Sequence, residues 1–466
     1  MLQRIIACCL LLGLNAAVSA GPVDRIEPPF WWTGFKHEEL QVLVHGHETA
    51  AFDAAVEYPG VTLERVGRGD SDNYLFLYLR ISPDAQPGGI PVTLTRGDES
   101  VTLHYELRAR SDDPEHARGF SPKDAIYLVT PDRFANGDPA NDTVEGLGDA
   151  ADRSDDYGRH GGDIAGVVGA LDYVRDMGFT AIWLNPILEN AMPEASYHGY
   201  ATTDYYRVDP RFGSNDDYRR LVAVAREKGL GIIMDMITNH CGSEHWWMRD
   251  VPSADWFNFY GDYHQTNSAK APLFDPYGSA WDRRIYLDGW YVREMPDLNQ
   301  RNPLVADYLV QNAIWWIEYL GLYGIRLDTY SFSEPAFLTE WTRRIMHEYP
   351  AFNITGEETG KHPALLAYFQ RGKQNHDGYV SFLPSLLDFP MFHGVNEALT
   401  REAAWWDSPW TRLYETVAMD FLYPDPWNLV IFPDNHDRSR RTGGICAPDF
   451  IRYRQGGQQH DASHYQ

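Results

Sequence analysis

From about residue 120 onward, short apolar runs alternate with longer helical stretches, and this rhythm leaves few folds open. The first run is Ala125-Ile126-Tyr127-Leu128-Val129, and the second, Ala181-Ile182-Trp183-Leu184, follows an amphipathic stretch ending at Met177-Gly178. Gly231-Ile232-Ile233-Met234, Gly324-Ile325-Arg326-Leu327 and Phe352-Asn353-Ile354 come next, then a weaker run within 379–387 and Leu429-Val430-Ile431-Phe432. Apolar strands separated by helices mean a parallel sheet covered by helices. Seven such units favour a (β/α)8 barrel, a fold of about 250 residues or more. A doubly wound open sheet is the runner-up, but no Gly-rich dinucleotide loop supports it. The barrel is predicted over 120–440, with an aromatic-rich insertion at about 241–300 between strands 3 and 4.

Residues 21–112 read differently. Leu40 to Val44, Tyr74 to Ile81 and Val101 to Leu107 alternate like strands, with turns at Gly67-Arg68-Gly69-Asp70 and Gly88-Gly89. Short strands at this spacing predict a small β-sandwich. Ser111-Asp112-Asp113-Pro114 is a polar linker. Residues 1–20 read as a secretory signal. Arg4 supplies the positive charge, Ile5 to Leu14 the apolar core and Val18-Ser19-Ala20 the cleavage site. The run is too short to span a bilayer comfortably. Cys8 and Cys9 lie inside it rather than after it, which disfavours lipid attachment. A secreted or periplasmic protein is predicted, with no membrane association after cleavage. Cys241 and Cys446 would remain, as a pair or as free thiols.

A formal net charge of -26 repels phosphate backbones and anionic lipid, so nucleic-acid and membrane partners are excluded. Neutral substrates are indifferent to it. Aromatic residues make up 14%, a surplus that suits sugar binding, although most of these rings belong to the core.

In a barrel the chemistry sits where strands end. Here the strands end in Asp235-Met-Ile-Thr-Asn239-His240, Arg326-Leu-Asp328, Gly356-Glu357-Glu358 and Asn435-His436-Asp437. A single carboxylate at such a place is often a helix cap; four strands delivering them together are poorly explained that way. Glycoside hydrolysis needs one ionised and one protonated carboxyl flanking the bond. Arg326 and Asp328 point the same way on a strand, so the guanidinium is expected to keep Asp328 ionised. Glu357 is the natural acid. Asp437 can stabilise a cationic sugar, and His240 and His436 can bind its hydroxyls.

These four segments resemble, in order, the four short regions shared by the α-amylase family. Ile126 to Phe134 is similar to its first strand and loop, and Gly178 to Pro186 to its second. His198-Gly199-Tyr200 resembles the segment whose Tyr stacks beneath the sugar being cleaved. Met295-Pro296-Asp297-Leu298-Asn299 and the opening Pro29-Phe30-Trp31-Trp32-Thr33-Gly34 resemble the cyclomaltodextrinase and neopullulanase branch. The resemblance implies a glycosidase cleaving α-1,4-linked glucans by double displacement. Asp328 would be the nucleophile, Glu357 the acid/base because that acid follows Gly directly, and Asp437 the transition-state stabiliser. Tyr200, His240, Arg326 and His436 would line the same subsite. A transglycosylase and a non-catalytic glucan binder stay as alternatives, and a homodimer through the N-terminal domain stays open.

The loop Asn136-Gly-Asp138-Pro-Ala-Asn141-Asp142, with Gly161-Gly162-Asp163 following, is rich in hard oxygen donors that suit Ca²⁺. The resemblance implies a calcium site made by Asn136, Asp138, Asn141, Asp142, the Gly161 carbonyl and Asp163. A turn-forming Asx-rich loop is the alternative. The stretch 441–466 is polar and aperiodic, with no strand 8. It reads as out of frame or truncated, or else the barrel is closed by another chain.

Overall fold

The computed structural model describes residues 22–437, apart from residues 403 and 405. The predicted signal segment 1–20, Cys446 and the 441–466 stretch lie outside the described residues.

Eight strands build the N-terminal sandwich. They are β1 (Arg25–Glu27), β2 (Trp31–Trp32), β3 (Glu39–His45), β4 (Asp53–Val56), β5 (Val61–Arg68), β6 (Tyr74–Ile81), β7 (Gly88–Arg96) and β8 (Glu99–Arg108). One sheet runs β1-β3-β6-β5 and the other β2-β8-β7-β4. β7 shows why the sequence alternates. Ile90, Val92 and Leu94 are buried while Pro91 and Thr93 are half-exposed, the two-residue period of a strand with one wet face. β6 is buried along most of its length, because its outer face meets another layer. Tyr74 stacks on Trp246 with ring centroids 5.9 Å apart, and Phe76 lies against Trp256.

The second unit is a parallel sheet of six strands in the order β9 (Ile126–Val129), β10 (Ala181–Leu184), β13 (Gly231–Met236), β14 (Gly324–Leu327), β15 (Ile354–Gly356) and β16 (Ser385–Leu386). A short hairpin, β11 (Leu188–Glu189) with β12 (Asp204–Val208), rises between β10 and β13. The helices are α1 (Ile164–Gly169), α2 (Leu171–Asp176), α3 (Asn215–Glu227), α4 (Ala280–Asp288) in the insertion, α5 (Pro303–Leu320), α6 (Pro335–Glu348), α7 (Pro363–Ala367), α8 (Phe389–Thr400) and α9 (Trp410–Ala418). The strand expected at 429–432 is reduced to one parallel bridge, Leu387 to Val430. Asp388 N–H donates to Val430 C=O there, and Val430 N–H to Leu386 C=O. On the far side, β9 has no further strand among the described residues.

α5 ties the two units. Asn302 caps its start by accepting from Leu304 N–H, Pro303 fixes its first turn, and Gly321 ends it with a φ of 67°. The helix is apolar on nearly every face, as a helix packed on both sides must be. Gln311 and Gln41 of β3 exchange two hydrogen bonds of 2.7 Å. Tyr308 donates to Glu27 at 2.7 Å. Arg25 then sits between Glu27, at 2.8 Å, and Asp204 of β12, at 2.7 Å. One cation thus serves two buried carboxylates. Burial first, then Asp204, push the Glu27 carboxyl up to about 7 against the pull of Arg25.

The sign follows from linkage. Glu27 holds its proton more tightly folded than unfolded, so the stability it adds is full below about pH 4.5 and is lost as pH rises through about 7. The wild-type melting temperature should therefore decline between pH 5 and 7.5 more steeply than that of Glu27→Gln. Parallel thermal-melt slopes would contradict this.

Candidate active site

Strand register builds the site. Asp235 on β13 and Arg326 on β14 are direct neighbours, and the ladder runs one residue past each strand. Asp328 N–H donates to Met236 C=O and Glu357 N–H to Leu327 C=O, both at 2.9 Å. Three carboxylates are therefore carried to the C-terminal rim beside one guanidinium. Arg326 Nη1 lies 2.8 Å from Asp235 Oδ1 and 2.7 Å from Asp328 Oδ1, and Nη2 lies 2.7 Å from Glu357 Oε1. Arg326 is fully buried.

Arg326 was expected to favour the ionised form of Asp328, and it does pull that carboxyl down, but it is shared three ways. Burial pushes the Asp328 carboxyl up, Arg326 opposes it, and Glu357, Asp235 and Asp437 push in the same direction as burial. Asp235 is raised by the same cause. Burial and mutual repulsion thus favour a proton at Asp235 and Asp328, while Arg326 and the Thr329 hydroxyl, 3.0 Å from Asp328 Oδ2, favour the ionised form of Asp328.

Around the carboxylates stands a column of rings. Tyr200 runs nearly parallel to the rings of His198 and His436, with centroids 5.8 Å and 5.6 Å away. The Tyr200 hydroxyl donates to Asp235 Oδ2 at 3.0 Å and lies 2.7 Å from His436 Nε2. With its proton on Asp235, the hydroxyl oxygen accepts from His436 Nε2–H and from Asn185 Nδ2 at 3.2 Å. Burial, with Arg326 close by, pushes the His436 imidazole down to about 3, and burial does the same to His240. Both are neutral at neutral pH. His240 Nε2 is buried without a hydrogen-bond partner, and the His240 ring lies on Tyr291 at 5.8 Å. Asp437 is the most open of the carboxylates, 3.6 Å from His436 Nε2.

Glu357 and Glu358 diverge. Glu357 turns to Arg326. Glu358 turns to the insertion, where Lys270 Nζ meets its Oε1 at 2.5 Å. All seven residues assigned to catalysis and sugar binding surround this one rim. Sequence reasoning gave no role to Asp235, Trp183, Asn185 or Thr329. Trp183 donates to Asp235 at 2.9 Å. Asp235 was visible as the head of the Asp-x-x-x-Asn-His run, directly across from Arg326.

The proposed metal loop is a separate feature. Asp163 caps α1, accepting from Gly166 N–H at 2.6 Å, and it also takes the N–H groups of Gly137 and Asp138 and the amide of Asn141. Four donors fill its lone pairs, so it braces the loop rather than presenting a free ligand face. Asn136 and Asn141 each leave a buried side-chain oxygen without a partner. Gly161 has a φ of 82°, and a Cβ there would lie 2.7 Å from the Asp142 carboxyl. Among the described residues, no three His, Cys, Asp or Glu side chains are gathered as a metal cluster; the donors that fit a hard cation here are largely amide and carbonyl oxygens.

Residues 128–455 match the family described as alpha amylase, catalytic domain, and residues 25–111 match the cyclomaltodextrinase N-terminal domain. The chain therefore belongs to the α-amylase family, in the branch that carries this N-terminal domain. The match runs on past residue 440, beyond the point where the likeness was read to stop. Neopullulanase 2 of Thermoactinomyces vulgaris is 36% identical over 331 residues, covering 68% of this chain and 50% of that protein. A beta/alpha-amylase of Paenibacillus polymyxa is 30% identical over 68% of this chain and 24% of its own length. This chain spans half the length or less of these curated relatives. The structure of an alpha-amylase from Geobacillus thermoleovorans complexed with acarbose superposes with a TM-score of 0.54 at 32% identity, over 68% of this chain and 62% of that one.

Among the described residues Arg326 is the only cation on three carboxylates, so removing it strands buried charge. Arg326→Ala should lower the unfolding free energy by about 3–5 kcal/mol at pH 7. The loss should shrink near pH 4, where the carboxylates take protons. Urea denaturation at both pH values measures this; an equal loss at both would contradict it.

Proposed function

We propose that this chain is a retaining glycoside hydrolase that cleaves α-1,4-glucosidic bonds in maltodextrins, cyclodextrins, starch or pullulan. The observation that carries the reading is the convergence of Asp328 and Glu357 on the two ends of one buried guanidinium at the strand rim. Asp328 Oδ attacks the anomeric carbon while Glu357 gives its proton to the leaving oxygen. Glu357 then takes a proton from water, which displaces Asp328. Asp437 faces the positive charge that develops on the sugar. Tyr200 offers a ring face, and the free Nε2 of His240 a hydrogen bond to a sugar hydroxyl. Residues 1–20 support export to a secreted or periplasmic location.

The reading predicts carboxyl groups of Asp328 and Glu357 about 5–5.5 Å apart. It also predicts that the first product formed from a maltodextrin keeps the α configuration. Asp328→Asn and Glu357→Gln should each lower kcat by about 10³-fold or more, with the fold intact by circular dichroism. A β product at the earliest time points in proton NMR would overturn the double displacement.

Calcium belongs to the same proposal. The orphaned oxygens of Asn136 and Asn141 are what a hard cation would satisfy, with Asp138, Asp142 and the Gly161 carbonyl completing the shell and Asp163 bracing it. When bound, the ion would supply rigidity to the loop after β9. Removing bound calcium with chelator should lower the melting temperature, and adding Ca²⁺ back should restore it. A melting curve indifferent to verified removal counts against the site.

A further inference from the structure

Thr329, the residue after Asp328, has a φ of 42°. That is left-handed backbone in a β-branched side chain, a conformation that persists only where its surroundings hold it. Two contacts do so. Its backbone N–H donates to Glu357 Oε2 at 2.9 Å, and its hydroxyl donates to Asp328 Oδ2 at 3.0 Å. One residue therefore bridges the two carboxyls, on the oxygens that Arg326 leaves free.

We propose that Thr329 is a positioning residue which sets the working geometry of both carboxyls, its N–H fixing Glu357 and its hydroxyl holding Asp328 in the ionised form. The proposal rests on the reading of Asp328 as nucleophile and Glu357 as acid. It has a chemical consequence at each group. With Oε2 accepting the Thr329 N–H, a proton on Glu357 sits on Oε1, which must leave Arg326 Nη2 to donate it. With Oδ2 accepting the Thr329 hydroxyl, Asp328 gains a second donor besides Arg326. Such a bond is stronger to a carboxylate than to a carboxylic acid, so it favours the ionised form.

The charged and titratable groups facing Asp328 are Arg326 on its own strand, Asp235 from β13, Glu357 from β15 and Asp437 after the Val430 bridge, with Tyr200 and His436 in the ring column. Substitutions at 329 alter none of these charges. Any pH effect therefore reports the lost hydroxyl contact and not a changed field.

The test uses three variants of the full chain. Thr329→Val removes the hydroxyl at constant shape, Thr329→Gly removes it and relaxes the backbone, and Thr329→Ser keeps it. The first readout is kcat/KM on a p-nitrophenyl maltooligosaccharide between pH 3.5 and 9. The acid limb, which reports the nucleophile in the free enzyme, should move up by about half a pH unit or more in the Val and Gly variants and stay in place in Ser. The alkaline limb should stay in all three, because the backbone N–H remains. The second readout needs no turnover. Calorimetric binding of acarbose, a cationic pseudosaccharide, should weaken as pH falls through the Asp328 titration, with the same displaced midpoint in Val and Gly. A purely structural role would lower the melting temperature of the variants without displacing the limb. Superimposable profiles for wild type, Val and Gly would overturn the proposal. Asp328→Asn separates the two levels: if it keeps wild-type turnover or an unchanged binding profile, the underlying reading of the site fails instead.

Discussion

The site depends on a single buried guanidinium. Arg326 sits inside the sheet at a position where a charged side chain has no water to solvate it. It is tolerable there only because Asp235, Asp328 and Glu357 surround it. The dependence runs both ways, since three carboxylates this close would repel one another without it. The consequence is precision. Each carboxylate is tied to a nitrogen of one planar group whose geometry does not flex, and each is delivered by its own strand. The same packing lines up Trp183 and Tyr200 on Asp235, so the ring column is anchored to the cation as well. Burial, with the excess of carboxylates over cations added to it, raises the Asp328 and Asp235 carboxyls.

The insertion and the N-terminal sandwich brace this rim from outside. Lys270 reaches from the insertion to Glu358, the residue after the proposed acid. At the other end of the insertion, Asp250 accepts from His45, Ser71 and Asn73 of the sandwich side, and Asp70 N–H and Ala254 N–H close the seam around Pro252. A chain of contacts thus runs from the sandwich through the insertion to the loop after β15. Each contact is a charged or backbone hydrogen bond between elements far apart in sequence. Such bonds fix relative position better than apolar packing does, because they have preferred directions.

Much of this was legible in the residues. The apolar runs placed six of the strands, since a strand covered by helices on one side and filled by side chains on the other admits little polarity. The rim residues followed because strand ends are the only places where such runs give way to charge. Register was not legible. Nothing in the spelling of Asp235 and Arg326 says they stand opposite each other; that comes from the pairing of two strands almost ninety residues apart. Asp163 was read as a calcium ligand from the resemblance and the oxygen-rich spacing; its place just before α1 also makes it a cap for that helix's unpaired N–H groups, which the spacing did not show. The run 429–432 looked like a strand by composition, yet among the described residues it is bridged on one side only, and a strand with one short neighbour makes few ladder bonds.

The aromatic surplus shows how composition misleads about function when it is read as a whole. Trp247, Trp256, Trp315, Trp316 and Trp341 are fully buried. Trp247 and Trp256 pack where the sandwich, the insertion and α5 meet, against Phe76 and Tyr308, whereas Trp316 packs on Tyr218 of α3 and Trp341 of α6 bonds the α5 backbone. The rings that matter to the proposed chemistry are few and differ in kind. Tyr200 and His436 are amphipathic, with a face toward the site and a polar atom tied into the carboxylate cluster. That tie separates a binding ring from a packing ring. A core Trp is positioned by contact on all sides and tolerates small shifts. Tyr200 is positioned by a hydrogen bond to Asp235, so its face moves only if the charge cluster moves. The Tyr200 ring and the rim carboxylates are therefore coupled through Asp235 to Arg326, so the proposed stacking surface and the proposed catalytic groups share one anchor.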